Sequence, residues 1–168
     1  MPRKAQEELT AELQRLMTLL DMKTGIYNIE TRLCKDGKPY IMEVSPRGGG
    51  NRLAEMLKYA SRTPLIANAV KAAVGMPVDD MEMPRYYGHL AEVILHSDKD
   101  GVFERIEVSD DMKDLVVETD LWVRSGDEVH GFSGANNAIG TLVLRFPTKE
   151  ALEDAMADIL SWCKVIVK

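Results

Sequence analysis

Five features of one short stretch have the residue types that phosphate chemistry needs: Glu30, Glu43, Ser45, Arg47 and glycines 48–50. A hard cation such as Mg²⁺ binds oxygen ligands, commonly one or two carboxylates together with the phosphates of a substrate. A guanidinium fork and exposed backbone N–H groups can hold a phosphate or a carboxylate. The stretch therefore indicates a metal–phosphate site, provided that the fold brings these residues together.

Two strands joined by a tight turn would bring these residues together. Residues 26–33 alternate between apolar and polar side chains, and so do residues 40–45, as expected for half-buried strands. Asp36 and Gly37 between them are a strong hairpin signal, because a type I′ turn needs a positive φ at both central residues. Taken as a two-residue loop, they set the register of the hairpin. The predicted cross-strand pairs are Asn28 with Ser45, Ile29 with Val44, Glu30 with Glu43, and Leu33 with Tyr40.

Two carboxylates that face each other across a strand pair repel, and such pairs destabilise a sheet. Either Arg32 and Arg47 neutralise Glu30 and Glu43, or a divalent cation lies between them. The plain alternative is a solvent-facing hairpin with scattered charges. The arginine and the triple glycine directly downstream favour the site.

The runs IYNIETRL and DGKPYIMEVSPRGGG, followed by AVKAAVG, resemble the metal-binding end of the ATP-grasp ligases. In that family an acidic residue on one strand precedes a strand that ends Glu-x-Asn-x-Arg before glycines. The resemblance implies that Glu30 and Glu43 bind Mg²⁺ or Mn²⁺, with Glu43 bridging two ions on the phosphates of ATP. It places Arg47 near the transferred or acyl phosphate. Ser45 stands where the family usually has asparagine, and its hydroxyl can still ligate Mg²⁺.

These inferences give a complete set of predicted site residues. Arg47 is the predicted catalytic residue. The predicted metal ligands are Glu30, Glu43 and Ser45, and the predicted cofactor-binding residues are Glu30, Glu43, Asn28, Gly48 and Gly49.

The rest of the chain predicts an α+β protein in two parts. Residues 1–75 form the C-terminal part of an ATP-grasp domain (a helix, the hairpin and two helices), residues 76–87 a linker, and residues 88–168 a small antiparallel α+β subdomain. The first helix carries a core-facing stripe of Leu9, Leu13, Leu16 and Leu20. The predicted caps of later helices are Asn51, Thr63 and Thr148. The helix after Thr63 has a predicted apolar stripe of Leu65, Ile66, Ala69, Val70, Ala73 and Val74, and the last helix is predicted to bury Leu152, Ala155, Met156, Ile159 and Leu160. Residues 89–96 and 102–108 are predicted to be two strands joined by a hairpin turn. In the first hairpin, Tyr40 is predicted on the apolar side and Ile41 on the side of Glu43.

The composition of the chain limits the functions that it can have. The 168 residues carry a net charge of −6, which does not suit a nucleic-acid-binding surface. No apolar run is long enough to span a membrane, and the N-terminus lacks the apolar core of a signal peptide. Cys34 and Cys163 form neither a metal spacing nor a disulfide framework, which points to the cytoplasm.

The resemblance also implies that something is missing. An ATP-grasp enzyme clamps ATP between two subdomains, and the upstream one supplies a lysine and a glycine-rich loop that a helix over residues 1–24 cannot provide. The expectation is a fragment, or one chain of a split carboxylate–amine ligase, similar to amino-acid ligases and carbamoyl-phosphate synthase. Such a chain would act through an acyl phosphate on a small carboxylate and an amine, and would be inactive without its N-terminal half, supplied in cis or in trans.

The alternative is a non-catalytic binding or assembly module that reuses the fold. That hypothesis predicts an exposed apolar surface, covered by formation of a homodimer.

Overall fold

The computed structural model describes residues 1–79 and 84–168. The middle of the predicted linker, residues 80–83, lies outside the described residues. The chain divides into two compact units. The first holds Met1–Glu55 and the described part of Pro64–Glu82, and the second holds Met56–Thr63 and the described part of Met83–Lys168. The predicted domain limits of 75 and 88 stay a prediction.

The first unit consists of a long helix, a hairpin and short helical segments. Its elements are α1 (Arg3–Leu19), β1 (Asn28–Leu33), β2 (Pro39–Ser45), the first residues of α2 (Leu53–Ser61), and α3 (Leu65–Ala73).

Helix α1 forms where the leucine periodicity predicts it but ends earlier than Gly25. Asp21 adopts a left-handed conformation with φ 49°, and the Met22 N–H donates to the Met17 carbonyl at 2.9 Å. This reversal is typical of a helix C-terminus. Leu20 lies beyond the end of the helix and is exposed, so its predicted place in the core is wrong. The other three leucines of the stripe are half-buried.

Two predicted helix caps are displaced. Asn51 and Arg52 have positive φ values of 51° and 61°, so Asn51 is not an N-cap, and α2 begins at Leu53. Pro64, rather than Thr63, occupies the N-cap of α3 and makes no side-chain capping bond.

The second unit is mixed α and β. Its elements are the end of α2, β3 (His89–His96), β4 (Gly101–Val108), α4 (Asp110–Lys113), β5 (Val116–Leu121), β6 (Glu128–Val129), β7 (Ala138–Phe146), α5 (Lys149–Ala157), α6 (Ile159–Trp162) and β8 (Cys163–Val167).

These strands form two antiparallel three-stranded sheets, in the orders β3-β7-β5 and β6-β4-β8. The sequence predicts β4 as the strand that returns beside β3, and that pairing is wrong. Strand β3 pairs with β7 along its whole length, while β4 pairs with β6 and β8. The apolar strand β7 pairs with β3 on one edge and β5 on the other, and most of its residues are buried.

The core of the second unit is centred on β7. Its largest fully buried side chains are Phe146, Leu142, Leu144, Val143 and Thr141. Further residues of the same cluster include Phe103 and Trp162.

Helix α5 begins as predicted, because the Thr148 Oγ1 accepts a hydrogen bond from the Ala151 N–H at 3.1 Å. It ends at Ala157, and α6 starts anew after Asp158. Leu160, predicted in the buried stripe of one longer helix, is therefore 67% exposed. No helix among the described residues has the length and apolar composition needed to cross a membrane.

Acidification is expected to release Gly131 from Asp100. The Gly131 N–H donates to Asp100 Oδ1 at 2.8 Å, and this bond is the main reason why the pKa of Asp100 is lowered from its ordinary value of 3.8. A lowered folded-state pKa contributes stability above the unfolded-state pKa, and this contribution disappears as the pH falls through the folded-state value. The Gly131 amide shift in an NMR titration should inflect below pH 3.8 and should lose that inflection in Asp100→Asn. An inflection at or above that value would contradict the assignment.

Candidate functional site

The hairpin turn has three residues in its loop rather than two. The Cys34 N–H donates to the Lys38 carbonyl, and the Gly37 N–H donates to the Cys34 carbonyl, both at 3.0 Å. Gly37 has φ 79°, the left-handed conformation that ends a three-residue hairpin loop. The two-residue loop predicted from Asp36 and Gly37 is therefore wrong, and Leu33 faces Pro39 instead of Tyr40.

A β-bulge restores the predicted register farther along the hairpin. The pairing shifts between Glu30 and Thr31, so that Thr31 faces Ile41 while Glu30 faces Glu43. Met42 is the extra residue on the second strand, and it is exposed. The cross-strand pairs Glu30–Glu43 and Asn28–Ser45 are confirmed.

The bulge also decides which side chains share the face of the two carboxylates. Cross-strand partners point to the same face, and residues two apart on one strand do as well. Tyr40 faces Arg32 and so lies on the carboxylate face, whereas the sequence alternation placed it on the apolar one. The complete carboxylate face consists of Asn28, Glu30, Arg32, Tyr40, Glu43 and Ser45. The three-residue loop pairs Tyr40 with Arg32, and the bulge, which no residue type signals, places Glu43 on the same face.

The other face is the packed one. Its members, all but one of them half-buried, are Ile29, Thr31, Leu33, Pro39, Ile41 and Val44, and Leu33 is exposed.

Among the described residues, the two facing carboxylates form no salt bridge with a cationic side chain. Glu30 and Glu43 are exposed, and side chains in directly opposite positions have Cβ atoms about 4.5–5.5 Å apart. Within residues 1–79 and 84–168, neither Arg32 nor Arg47 forms a salt bridge with them. The Arg47 Nη1 donates instead to the Gly48 carbonyl at 2.8 Å. Neutralisation by the arginines, one of the two sequence-based alternatives, is therefore not observed.

The donor set on this face fits a hard divalent cation. The Ser45 hydroxyl donates to Glu43 Oε1, which brings a third oxygen next to the carboxylate pair. No cluster of three or more His, Cys, Asp or Glu side chains suited to a metal occurs in the described part of the chain. Two carboxylates and a hydroxyl leave coordination positions open for water or phosphate oxygens, as Mg²⁺ sites that bind a nucleotide do.

Gly49 is the glycine that the bend after β2 requires. A Cβ at this position would lie 2.6 Å from Leu53 Cδ2, 3.0 Å from Leu53 Cβ and 3.3 Å from Asn28 Oδ1. Nothing lies within 4 Å of a Cβ at Gly50. Gly49 thus lets the start of α2 approach the Asn28 end of the carboxylate face.

Gly49→Ala is expected to destabilise the bend by about 1–2 kcal/mol, since Leu53 and Asn28 must both move. Hydrogen exchange of the hairpin amides measures this change. Gly50→Ala is the matched control and should leave exchange unchanged. Equal exchange in both variants would show that the close approach at Gly49 has no energetic consequence.

A second concave region is a weaker candidate. A surface groove of about 500 Å³ in the second unit is lined by Arg105, Glu107, Asp110, Lys113 and other residues. Its charges are paired with one another: Arg105 Nε donates to Glu107 at 3.0 Å, and the Lys113 ammonium lowers the pKa of Asp110. These four groups satisfy each other and so offer no unmatched charge to a ligand, although Lys164 also lines the groove.

Comparison with solved structures identifies the fold. Phosphoribosylglycinamide synthetase from Anaerococcus prevotii matches the whole chain with a TM-score of 0.78 at 19% identity. L-amino acid ligase from Bacillus licheniformis matches it with a TM-score of 0.78 at 18% identity. The biotin carboxylase domain of the Hydrogenobacter thermophilus 2-oxoglutarate carboxylase, in complex with MgADP, ADP and bicarbonate, matches it with a TM-score of 0.73 at 15% identity.

In each case the chain spans only part of the similar structure: 43%, 42% and 38% of its length, respectively. Among curated sequences, the uncharacterized protein y4rH of Sinorhizobium fredii (strain NBRC 101917 / NGR234) is 26% identical over 144 residues, which are 84% of this chain and 29% of that protein. A search against models of protein families finds no match.

The resemblance predicted from the hairpin motif is confirmed at the level of the fold. The chain has the fold of the ATP-grasp ligases, over a portion that corresponds to about two-fifths of their length.

Proposed function

We propose that this chain is the C-terminal, metal-binding portion of an ATP- and Mg²⁺-dependent carboxylate–amine ligase that acts through an acyl phosphate. One observation carries the proposal: Glu30 and Glu43 face each other on an exposed sheet face. Without a cation between them, this pair costs free energy. A divalent ion removes that cost and supplies a binding point for phosphates.

Each site residue has a definite role in the proposal. Glu30, Glu43 and Ser45 hold Mg²⁺ or Mn²⁺, and when bound the ion neutralises phosphate charge, which is a main lever in phosphoryl transfer. Arg47 uses one guanidinium N–H on the Gly48 carbonyl and keeps further donors for the transferred or acyl phosphate.

Three further residues shape the nucleotide end of the site. Asn28 faces Ser45 at the end of the hairpin. The backbone at Gly48 and Gly49 offers close approach to a phosphate, and Gly49 keeps that bend compact.

The similar structures support a nucleotide and small substrates. The Hydrogenobacter thermophilus domain is in complex with MgADP and bicarbonate, and the Bacillus licheniformis enzyme is an L-amino acid ligase. By analogy with the fold, we propose ATP, a small carboxylate and an amine as the ligands of the complete enzyme.

The proposal includes a partner. The similar structures are more than twice as long as the part that this chain covers, so the remainder of the nucleotide pocket is assigned to an N-terminal ATP-grasp portion, joined in cis or bound in trans. The chain alone is expected to have no ligase activity. Its two free cysteines, Cys34 and Cys163, support a cytoplasmic location.

Calorimetric titration of Mg²⁺ and of Mg·ATP into the folded chain tests the proposed site. We expect Mg·ATP to bind and ATP with excess chelator to bind far more weakly, because the carboxylates repel phosphates when no cation is present. Equal binding with and without Mg²⁺ would contradict the proposal.

A further inference from the structure

The first unit has almost no hydrophobic core of its own. Among its described residues, only Ala5, Ala54 and Asn68 are buried. The largest fully buried side chains among the described residues belong to the second unit. Burial of large apolar side chains is the main source of stability in a small domain. An additional apolar surface packed against the first unit would therefore stabilise it further.

The apolar residues of the first unit lie on its surface instead. Helix α3 and its C-cap residue Val74 show this most clearly: Ile66, Val70 and Val74 are 45%, 59% and 65% exposed. Their spacing of four residues places them on one side of the helix. We call these three residues the α3 face. Other exposed apolar residues of the same unit are Leu19, Leu20, Met42 and Met76.

The hairpin of the first unit also leaves groups that a further structural element could contact. Its sheet has two strands among the described residues, and helix α1 contacts the second of them; further strands would stabilise such a hairpin more. Unpaired strand edges also provide hydrogen-bonding groups for another chain. Both features of the first unit are those of a fold that a second structural element completes.

We propose that the α3 face is the docking surface for the remaining portion of the ATP-grasp fold, whether that portion is joined to the same polypeptide or is a separate chain. This inference rests on the proposed function for the identity of the partner. The similar structures match the chain over its whole length and continue for more than half of their own length beyond it. The apolar side chains of α3 require a partner surface that is apolar in turn.

A second copy of the chain is the competing occupant. It would bring the same coreless first unit and the same exposed strand edges, and it would not supply the portion of the fold that the similar structures have in addition. The observations therefore favour the remaining portion.

The test uses the 168-residue chain and, as the probe, the ATP-grasp segment that the source genome encodes upstream of it or in an adjacent reading frame, expressed as a separate polypeptide. Association is measured by calorimetry, and hydrogen exchange of α3 is followed with and without the probe. We expect binding, slower exchange of the α3 amides, and a loss of affinity of about tenfold or more in Val70→Glu, because a charge then enters an apolar contact.

Leu160→Glu is the matched control. Leu160 is also exposed and helical but belongs to the second unit, so this variant should bind within about twofold of the wild type. Glutamate has a higher helix propensity than valine, so Val70→Glu keeps α3 intact, and circular dichroism verifies this.

Every other outcome overturns the inference. These outcomes are a genome without such a segment, no association, equal binding by Val70→Glu and wild type, or a homodimer that Val70→Glu dissociates. A failure of the proposed function would give a different result from a failure of the docking inference. In that case the probe docks in the wild type and in Glu43→Ala alike, and neither assembled complex binds Mg·ATP.

Discussion

Glu43→Ala is expected to lower the affinity of the chain for Mg·ATP by at least about a hundredfold, since substitutions of residues that merely support a metal ligand already cost 10–100-fold. The substitution removes one of the two facing carboxylates and the acceptor of the Ser45 hydroxyl. Glu30 alone then faces a methyl group, and the charge that offsets a divalent cation is halved. Calorimetry with Mg·ATP measures the loss.

Two further variants separate metal binding from general effects. Ser45→Ala should weaken binding by only a few-fold, because a hydroxyl is a weaker ligand for a hard cation than a carboxylate. Glu12→Ala removes a carboxylate of the same unit that is paired with Arg15, and it should have no effect. If Glu43→Ala binds Mg·ATP as tightly as Glu12→Ala does, the carboxylate pair is not the metal site.

Phe146→Ala is expected to destabilise the second unit by about 3–5 kcal/mol, the usual cost of truncating a buried phenylalanine. Phe146 is 1% exposed on the central strand β7 and belongs to the main core cluster. Denaturant unfolding followed by tryptophan fluorescence measures this change specifically, because both tryptophans, Trp122 and Trp162, lie in the second unit.

Phe132→Ala is the matched control in the same unit. Its ring is half exposed and contacts His96 edge to face at a centroid distance of 4.5 Å. Such a contact contributes about 0.5–1.5 kcal/mol, so this variant should be affected much less. Similar losses in the two variants would show that the core is not centred on β7.

The sequence predicted correctly that Glu30 and Glu43 face each other, but it did so because two errors in the predicted register cancel. The Asp36-Gly37 signal fits a two-residue loop and also a three-residue loop that ends in a left-handed glycine. The actual loop shifts the register by one residue, and the bulge at Met42 shifts it back. Tyr40 and Ile41 lie between the two shifts, and their predicted sides are therefore inverted.

Local sequence signals predicted where the helices lie, but not which surfaces pack against them. The Thr148 cap depends on one side-chain-to-backbone bond and is confirmed. The apolar stripe of α3 follows from a period of 3.6 residues, which identifies an apolar side without naming its partner. In the structure that side is exposed at Val70 and Val74.

Strand pairing in the second unit could not be predicted either. Strand β3 pairs with β7, which lies far along the chain, and no local pattern encodes such a distant partner. The apolar run of β7 indicates a buried strand, yet which strands flank it depends on how the whole core packs.

The most direct test of the central claim is the position of a bound Mn²⁺ ion in solution. Mn²⁺ broadens the NMR signals of nearby nuclei, so titration into the ¹⁵N-labelled chain in the presence of ATP locates the ion. We predict that the amide signals of residues 28–31 and 42–45 broaden first, and that Mg²⁺ in excess restores them. Broadening centred on another acidic region, such as Asp110 and Asp111, with the hairpin signals unchanged, would contradict the assignment of Glu30 and Glu43 as the metal site.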